Sequence, residues 1–296
     1  MKYFTKEWAV LCERCGYHYD LTPSPSAKRR SEDYFRKLYQ EKLSERLRGQ
    51  SERLAMSDEE LLGGAFDGPL ETMDEEGNLH PVSEEMGEEE YRRLEEHRQA
   101  KKRALLAALR RERTPEEIEA SFRAEWEERM AELSAILPQE ILDQVADIRV
   151  LALGESTREV KRAITRFCRR NEAKVEQANR DYNEYLDRKE RRYPPELLEE
   201  YGFSDWSVTG LAWTGADLEL RLREGNYEGA EACAVLYRSA EVLEQEEELV
   251  GAQWLAEELY PVPGGGFECH ALLRRGQGEY FYFTLRAASV EIKWDR

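Results

Sequence analysis

Two groups of residues in this chain carry side chains suited to chemistry. The first is Cys12-Glu13-Arg14-Cys15-Gly16-Tyr17-His18. Two thiols three residues apart, with an imidazole close behind, have the ligand types and local spacing of half a zinc site. A tetrahedral centre needs a fourth ligand, and no second CxxC or HxxH follows, so it would come from Cys168, a distant His or an acid. The competing reading places Cys12 and Cys15 on one helical face, packed against a neighbour as small apolar groups. A thioredoxin-like role lacks the βαβ context that the motif needs.

The second group lies near the C-terminus: Trp254, Glu257, Glu258, Tyr260, Glu268 and His270. A strand over 254–262 that folds back through Gly264-Gly265-Gly266 onto 267–273 sets His270 opposite Glu257 or Glu258, a choice of one residue in register. Glu268 shares the His270 face. A histidine flanked by carboxylates has its charged form favoured and can serve as a general base or a pH switch. The plainer alternative is an exposed cross-strand pair that contributes about a few tenths of a kcal/mol. These six are the candidate binding residues. No catalytic residue, cofactor or metal site is assigned, and Cys12, Cys15 and His18 form the runner-up metal set.

Other patterns say less. Glu244, Glu246, Glu247 and Glu248 form a charge run between strands, without the spacing or glycine of a calcium loop, and read as a solvated loop. The triple glycine joins strand to strand, so it is no phosphate cradle. No GxSxG, HExxH, Walker or dinucleotide fingerprint is present, and four His leave few places for a His-dependent triad.

Helices must position the first group. Phe4, Trp8 and Leu11 mark a helix face, and Thr22-Pro23-Ser24-Pro25-Ser26 breaks it. Ser31 caps a helix with the stripe Phe35, Leu38, Tyr39, Leu43 and Leu47. Ser57 and Glu60 have capping-box spacing before a short helix that Gly63-Gly64 ends. Residues 63–82 read as a loop, and a helix then runs from Ser83 or Gly87 to Arg113. Thr114, Pro115 and Glu117 open the next helix, which carries Ile118, Phe122, Trp126, Met130 and Leu133. Leu137-Pro138 breaks it before a short helix through Ile141 and Val145. Residues 148–153 read as an apolar connection. Ser156 with Glu159 opens the longest helix, which runs to about Arg192 until Tyr193-Pro194-Pro195 stops it, and 196–202 is a short helical linker.

The hydrophobic period then changes from near 3.6 to 2. Strands are expected at 208–213, 218–222, 233–237, 254–262, 267–273 and 279–285, with a last one through Val290, Ile292 and Trp294. Thr214-Gly215-Ala216-Asp217 and Gly276-Gln277-Gly278 have turn chemistry. Short connections imply antiparallel neighbours in about seven strands.

Composition restricts the partners. The 296 residues are long enough for two compact domains. A formal net charge of -18 argues against a nucleic-acid groove, which needs clustered Lys and Arg. Residues 204–296 hold 8 Lys and Arg against 17 Asp and Glu, about twice the negative density of the rest. Such a field favours a basic partner or simply maintains solubility. No export signal or membrane-length apolar run is present, and five spread cysteines suit reduced thiols in a cytoplasm.

The stretches MKYFTKEW (1–8), DIRVLALG (147–154), DLELRL (217–222) and WLAEELYPVPGGGFECHALL (254–273) resemble an uncharacterised bacterial family of unknown-function proteins whose members open MKYFTKE. That resemblance implies a helical-plus-β protein along most of the chain and no activity. An acidic–aromatic–histidine pattern in the last third falls on Glu257, Glu258, Tyr260 and His270, with no catalytic role attached.

The expectation is an α+β protein: a long-helix bundle or helical hairpin over 1–203, with the loop at 63–82. An antiparallel β domain over 204–296 follows, as a curved sheet, small sandwich or partly open barrel. The leading function is non-enzymatic binding of a basic protein partner by the acidic β domain, antitoxin-like in one form, in a cytoplasmic protein with no nucleic acid or membrane partner. Homo-oligomerisation would use the long helices. The alternative is a hydrolytic or metal-assisted enzyme built on either residue group.

Overall fold

The computed structural model describes residues 1–64, 66, 71–73, 79–81, 88–189, 192–193, 197–198, 201–225, 232–276 and 278–294. Helix α1 (Lys6–Glu13) leads to strand β1 (Thr22–Pro23), helix α2 (Glu32–Ala55) and helix α3 (Asp58–Leu62). Short strands β2 (Glu71–Met73) and β3 (Leu79–Pro81) follow, then α4 (Glu88–Leu109), α5 (Pro115–Ile136), α6 (Gln139–Leu142), α7 (Ile148–Ala152), β4 (Glu155–Ser156) and α8 (Arg158–Lys189). Eight strands complete the chain: β5 (Trp206–Thr214), β6 (Asp217–Glu224), β7 (Ala232–Arg238), β8 (Glu241–Gln245), β9 (Gln253–Pro261), β10 (Phe267–Arg275), β11 (Glu279–Ala287) and β12 (Ser289–Trp294). N-terminal helices followed by an antiparallel sheet make the fold α+β. No helix among the described residues is long and apolar enough to cross a membrane.

The chain forms two compact units: residues 1–10, 66–104 and 175–296 make one, and residues 11–65 and 105–174 the other. The chain therefore passes between them four times: within α1, α4 and α8, and between residues 65 and 66.

In the helical unit the expected caps hold. Ser31 Oγ accepts from Tyr34 N–H, and reciprocal capping boxes form at Ser57/Glu60 and Thr114/Glu117. Each satisfies backbone donors that the first helical turn leaves without partners. The core joins Leu133, Leu137, Leu151, Ile164 and Cys168, with Leu38 and Val150 beside it under Phe35, Tyr39 and Trp126. Arg149 ties these layers together. Its guanidinium bonds Asp147 at 2.8 Å and Glu32 at 2.9 Å and lies 4.3 Å from the Phe35 ring centre. Its carbonyl accepts from Trp126 Nε1–H at 3.1 Å.

Four readings need correction. Residues 148–153 are no plain connection: 148–152 form α7, whose cap is Asp147, its carboxylate accepting from Arg149 N–H at 3.1 Å. The segment is buried at Val150, Leu151 and Ala152, so no polar face reveals a helical period. Ser156 does not open α8. It pairs in β4 with β1, and Thr157 Oγ1 takes the Val160 N–H at 3.2 Å instead. The loop at 63–82 contains the β2–β3 pair. The glutamate run begins inside a strand, because β8 pairs with β11 and makes the large sheet eight-stranded. An edge strand wet on nearly every residue carries no alternation to read. Ser83, Gly87, Pro194, Pro195 and Gln277, and residues 196, 199 and 200 of the 196–202 linker, lie outside the described residues.

The large sheet has the order β12-β7-β6-β5-β9-β10-β11-β8 and does not close into a barrel. Its two four-stranded halves join through a short seam where the start of β5 meets β9, with Ser207 facing Gln253. Both halves nevertheless line one core, in which Leu218, Leu220, Val235 and Tyr237 of one join Trp254, Cys269 and Phe283 of the other. Gly266 makes the β9–β10 hairpin possible. Its φ is +79°, and a Cβ there would collide with the Ala287 carbonyl oxygen.

Candidate functional site

The β9–β10 register decides which side chains of the C-terminal group meet. His270 faces Glu258, Glu268 faces Tyr260, and Ala271 faces Glu257. Successive side chains of a strand leave opposite faces, so Glu257 and Glu258 separate. A register shift between Leu272 and Leu273 then turns Trp254 onto the Glu257 side. The six expected residues therefore divide. Glu258, Tyr260, Glu268 and His270 share one face, while Trp254 lies in the core between the half-sheets and Glu257, half-buried, borders it.

Glu258 is fully buried and fully engaged. Its carboxylate accepts from the backbone N–H groups of Lys2, Tyr3 and Phe4 at 2.8, 2.7 and 2.6 Å, and from the Tyr260 hydroxyl. Phe4 and Tyr182 pack beside Ala256 on the same face, with Tyr3, Trp8 and Tyr185 around them. Burial, followed by the bond to Glu258, pushes the Tyr260 hydroxyl's pKa upward. A carboxylate with four donors has little capacity left for a substrate. Its role is to fasten the segment ahead of α1 to the sheet.

Beyond it runs a chain of charges. His270 Nε2 lies 3.3 Å from Glu268, and its ring meets Tyr260 edge-on at 4.9 Å. Glu268 also takes Arg286 at 2.7 Å, which holds its carboxyl below the usual range, and Arg286 reaches Glu241 at 3.2 Å. Thr284 Oγ1 donates to Glu244, and Lys6 pairs with Glu246 at 2.6 Å. Arg286, Thr284 and the amides of residues 2–4 had no signal in the sequence, because only the β11 register and the fold of the N-terminal segment bring them here.

Glu257 is half-buried at the margin of the core, with Oε2 accepting from Trp254 Nε1–H at 2.6 Å. Burial raises its pKa to about 7, opposed by that bond and by one from the Phe203 backbone. Close by, the hydroxyls of Tyr201 and Tyr237 share a hydrogen bond, and Tyr201 donates to Cys269 Sγ at 3.0 Å. Burial moves both hydroxyls and the thiol upward, so all three keep their protons.

The N-terminal trio belongs to the helical unit. Cys15 Sγ donates to Leu11 O at 3.0 Å, and His18 Nδ1 lies 3.2 Å from Cys15 O. Burial pushes the Cys12 thiol up to about 12 and Cys15 to about 11. Cys168 is fully buried in the helical core. Among the described residues, no three His, Cys, Asp or Glu side chains converge in a way that could hold a metal ion.

Neither curated proteins nor solved structures gave a match to this chain. A family model did match, over residues 92–281, which include DIRVLALG, DLELRL and WLAEELYPVPGGGFECHALL and exclude MKYFTKEW. The chain therefore belongs to the family described as "Protein of unknown function (DUF4085)".

Proposed function

We propose that this protein acts by binding a basic protein partner and not by catalysis, with the β8–β10–β11 face of the sheet as its recognition surface. The observation that carries this reading is the engagement of Glu258. The carboxylate directly across the strands from His270 is saturated by backbone donors and the Tyr260 hydroxyl, and Glu268, the acid His270 does meet, is held by Arg286 at 2.7 Å. Glu257, the neighbouring carboxylate, is half-buried on the opposite face and bonded to Trp254 Nε1–H. What stays accessible is a set of acids on and beyond β8: Glu241, Glu244, Glu247 and Glu248, with Leu243 exposed among them. Acids around an apolar residue suit a Lys- or Arg-rich surface. An antitoxin-like capture of a basic nuclease is one specific form.

The test is crosslinking in cell extract at low and high salt, with mass-spectrometric identification of the partner and of the crosslinked residues. A basic protein joined near β8, lost at high salt and lost in a Glu241→Lys/Glu244→Lys double variant, supports the proposal. Salt-insensitive binding, or crosslinks that avoid β8, overturns it.

A further inference from the structure

Strand β5 is bonded along one edge for its whole length and along the other for only its first residues. Near its start, Asp205 N–H donates to Trp254 O, Val208 N–H to Ala252 O, and Gly251 N–H to Val208 O, while Ser207 faces Gln253. Past that point no strand among the described residues faces the outer edge of 209–214. The corresponding edge of β9 is protected: Leu259 N–H donates to the Tyr182 hydroxyl at 2.7 Å, and its carbonyl accepts from the Tyr193 hydroxyl at 2.7 Å. Terminal strands β8 and β12 carry Glu241, Glu244, Glu291 and Lys293, charges that discourage edge pairing. The stretch 209–214, Thr-Gly-Leu-Ala-Trp-Thr, carries none and exposes Leu211 and Trp213, the latter by 48%.

The backbone directions of this edge are determined. Thr214 and Asp217 close the two-residue turn to β6, so alternation points the N–H and C=O of Thr214, Ala212 and Gly210 at β6. Those of Leu211 and Trp213 point outward. Both side chains project on the core side, since they face the fully buried Leu220 and Leu218.

We propose that this edge docks onto the same edge of a second copy of the chain, in an isologous antiparallel pairing. With Ala212 on the two-fold axis, Leu211 of each copy faces Trp213 of the other. That register makes both facing pairs hydrogen-bonded pairs, brings both exposed apolar side chains together on one face, and sets Gly210 opposite Thr214. Charge argues for a copy of this edge over a basic segment. The strand is neutral, and the nearest acids are already paired, Asp217 with Arg238 at 2.8 Å and Glu219 with Arg221 at 2.9 Å. One short strand pair is a small interface, so association depends on concentration. The proposal is independent of the basic-partner reading. Its salt dependence has the opposite sign, because two chains of net charge -18 repel each other and screening relieves that repulsion.

Sedimentation velocity on the full chain, from dilute to concentrated solution, should show the mass rising from one chain toward two, more readily at high salt. Leu211→Lys and Trp213→Lys should each abolish the rise. Mild oxidation should link an Ala212→Cys variant to itself, because directly opposed Cβ atoms lie about 4.5–5.5 Å apart there, near disulfide reach. Thr214→Cys, facing Gly210, and the wild-type chain should not link. A single-chain mass at the highest soluble concentration, a dimer that survives both lysine variants, or linkage no greater for Ala212→Cys than for Thr214→Cys overturns the proposal.

Discussion

Glu257 and Glu258 are adjacent in the chain, yet their carboxylates serve opposite faces of one sheet: half-buried Glu257 accepts from the core residue Trp254, and Glu258 gathers three backbone amides of the N-terminal segment. The same substitution at the two positions should therefore have different consequences.

At Glu258, replacement by Ala leaves the amides of Lys2, Tyr3 and Phe4 without their acceptor and opens a gap beneath Tyr260. Hydrogen bonds to a charged acceptor contribute about 1.5–3 kcal/mol each in mutational series, and such contributions do not add fully. A loss of about 2–4 kcal/mol is expected in urea unfolding. Amide exchange at residues 2–4 should accelerate strongly. Unchanged protection there would contradict the anchoring role.

At Glu257 the expected effect follows pH. Burial raises its pKa from 4.5 to about 7, so the folded state keeps a proton that the unfolded chain has released. The stabilisation is complete below the unfolded value. It falls by about 1.4 kcal/mol per pH unit between the two pKa values and levels off above the folded one. A Glu257→Gln variant keeps a neutral side chain throughout. Its stability relative to wild type should climb between about pH 4.5 and 7 and then stay constant. A difference independent of pH would remove the buried-acid account.

Asp147 has the reverse sign. Although its burial acts upward, the bonds from the Arg149 guanidinium and backbone hold its carboxyl below the usual range. Its stabilisation is present above the unfolded carboxylate pKa and is lost as pH falls through the lower folded value. Arg149→Met should remove that acid-side loss and destabilise the helical unit by about 2–3 kcal/mol at neutral pH. Trp126 fluorescence, reporting through its bond to Arg149 O, should follow the same transition.

Gly266→Ala tests the hairpin that sets the register. The left-handed backbone and the collision with Ala287 O both act against any Cβ. A loss above about 3 kcal/mol is expected by thermal or urea unfolding, against about 1–3 kcal/mol for Gly264→Ala, which meets nothing within 4 Å and carries only the strained φ.

Local chemistry wrote much of this fold into the sequence. Ser31, Ser57 and Thr114 cap helices where their spacing to the next acids or apolar residues placed them, and the turn residues at 214–217 and 264–266 join the strands they were expected to join. Such signals act between residues a few positions apart, so they survive in one dimension. α7 and β8 escaped because one is a five-residue helix buried over its last three positions and the other almost fully wet, and neither leaves a period.

The candidate site was legible only as a list of residue types. That His270 faces Glu258, that a register shift turns Trp254 toward Glu257, and that the amides of residues 2–4 donate to Glu258 are all decided by pairings between distant segments. The alternation near residue 204 determined that a sheet would form and that neighbouring glutamates would part. Tertiary structure alone decided which glutamate went to the margin of the core and which to the N-terminal backbone, because a shift of one residue in register exchanges the two faces.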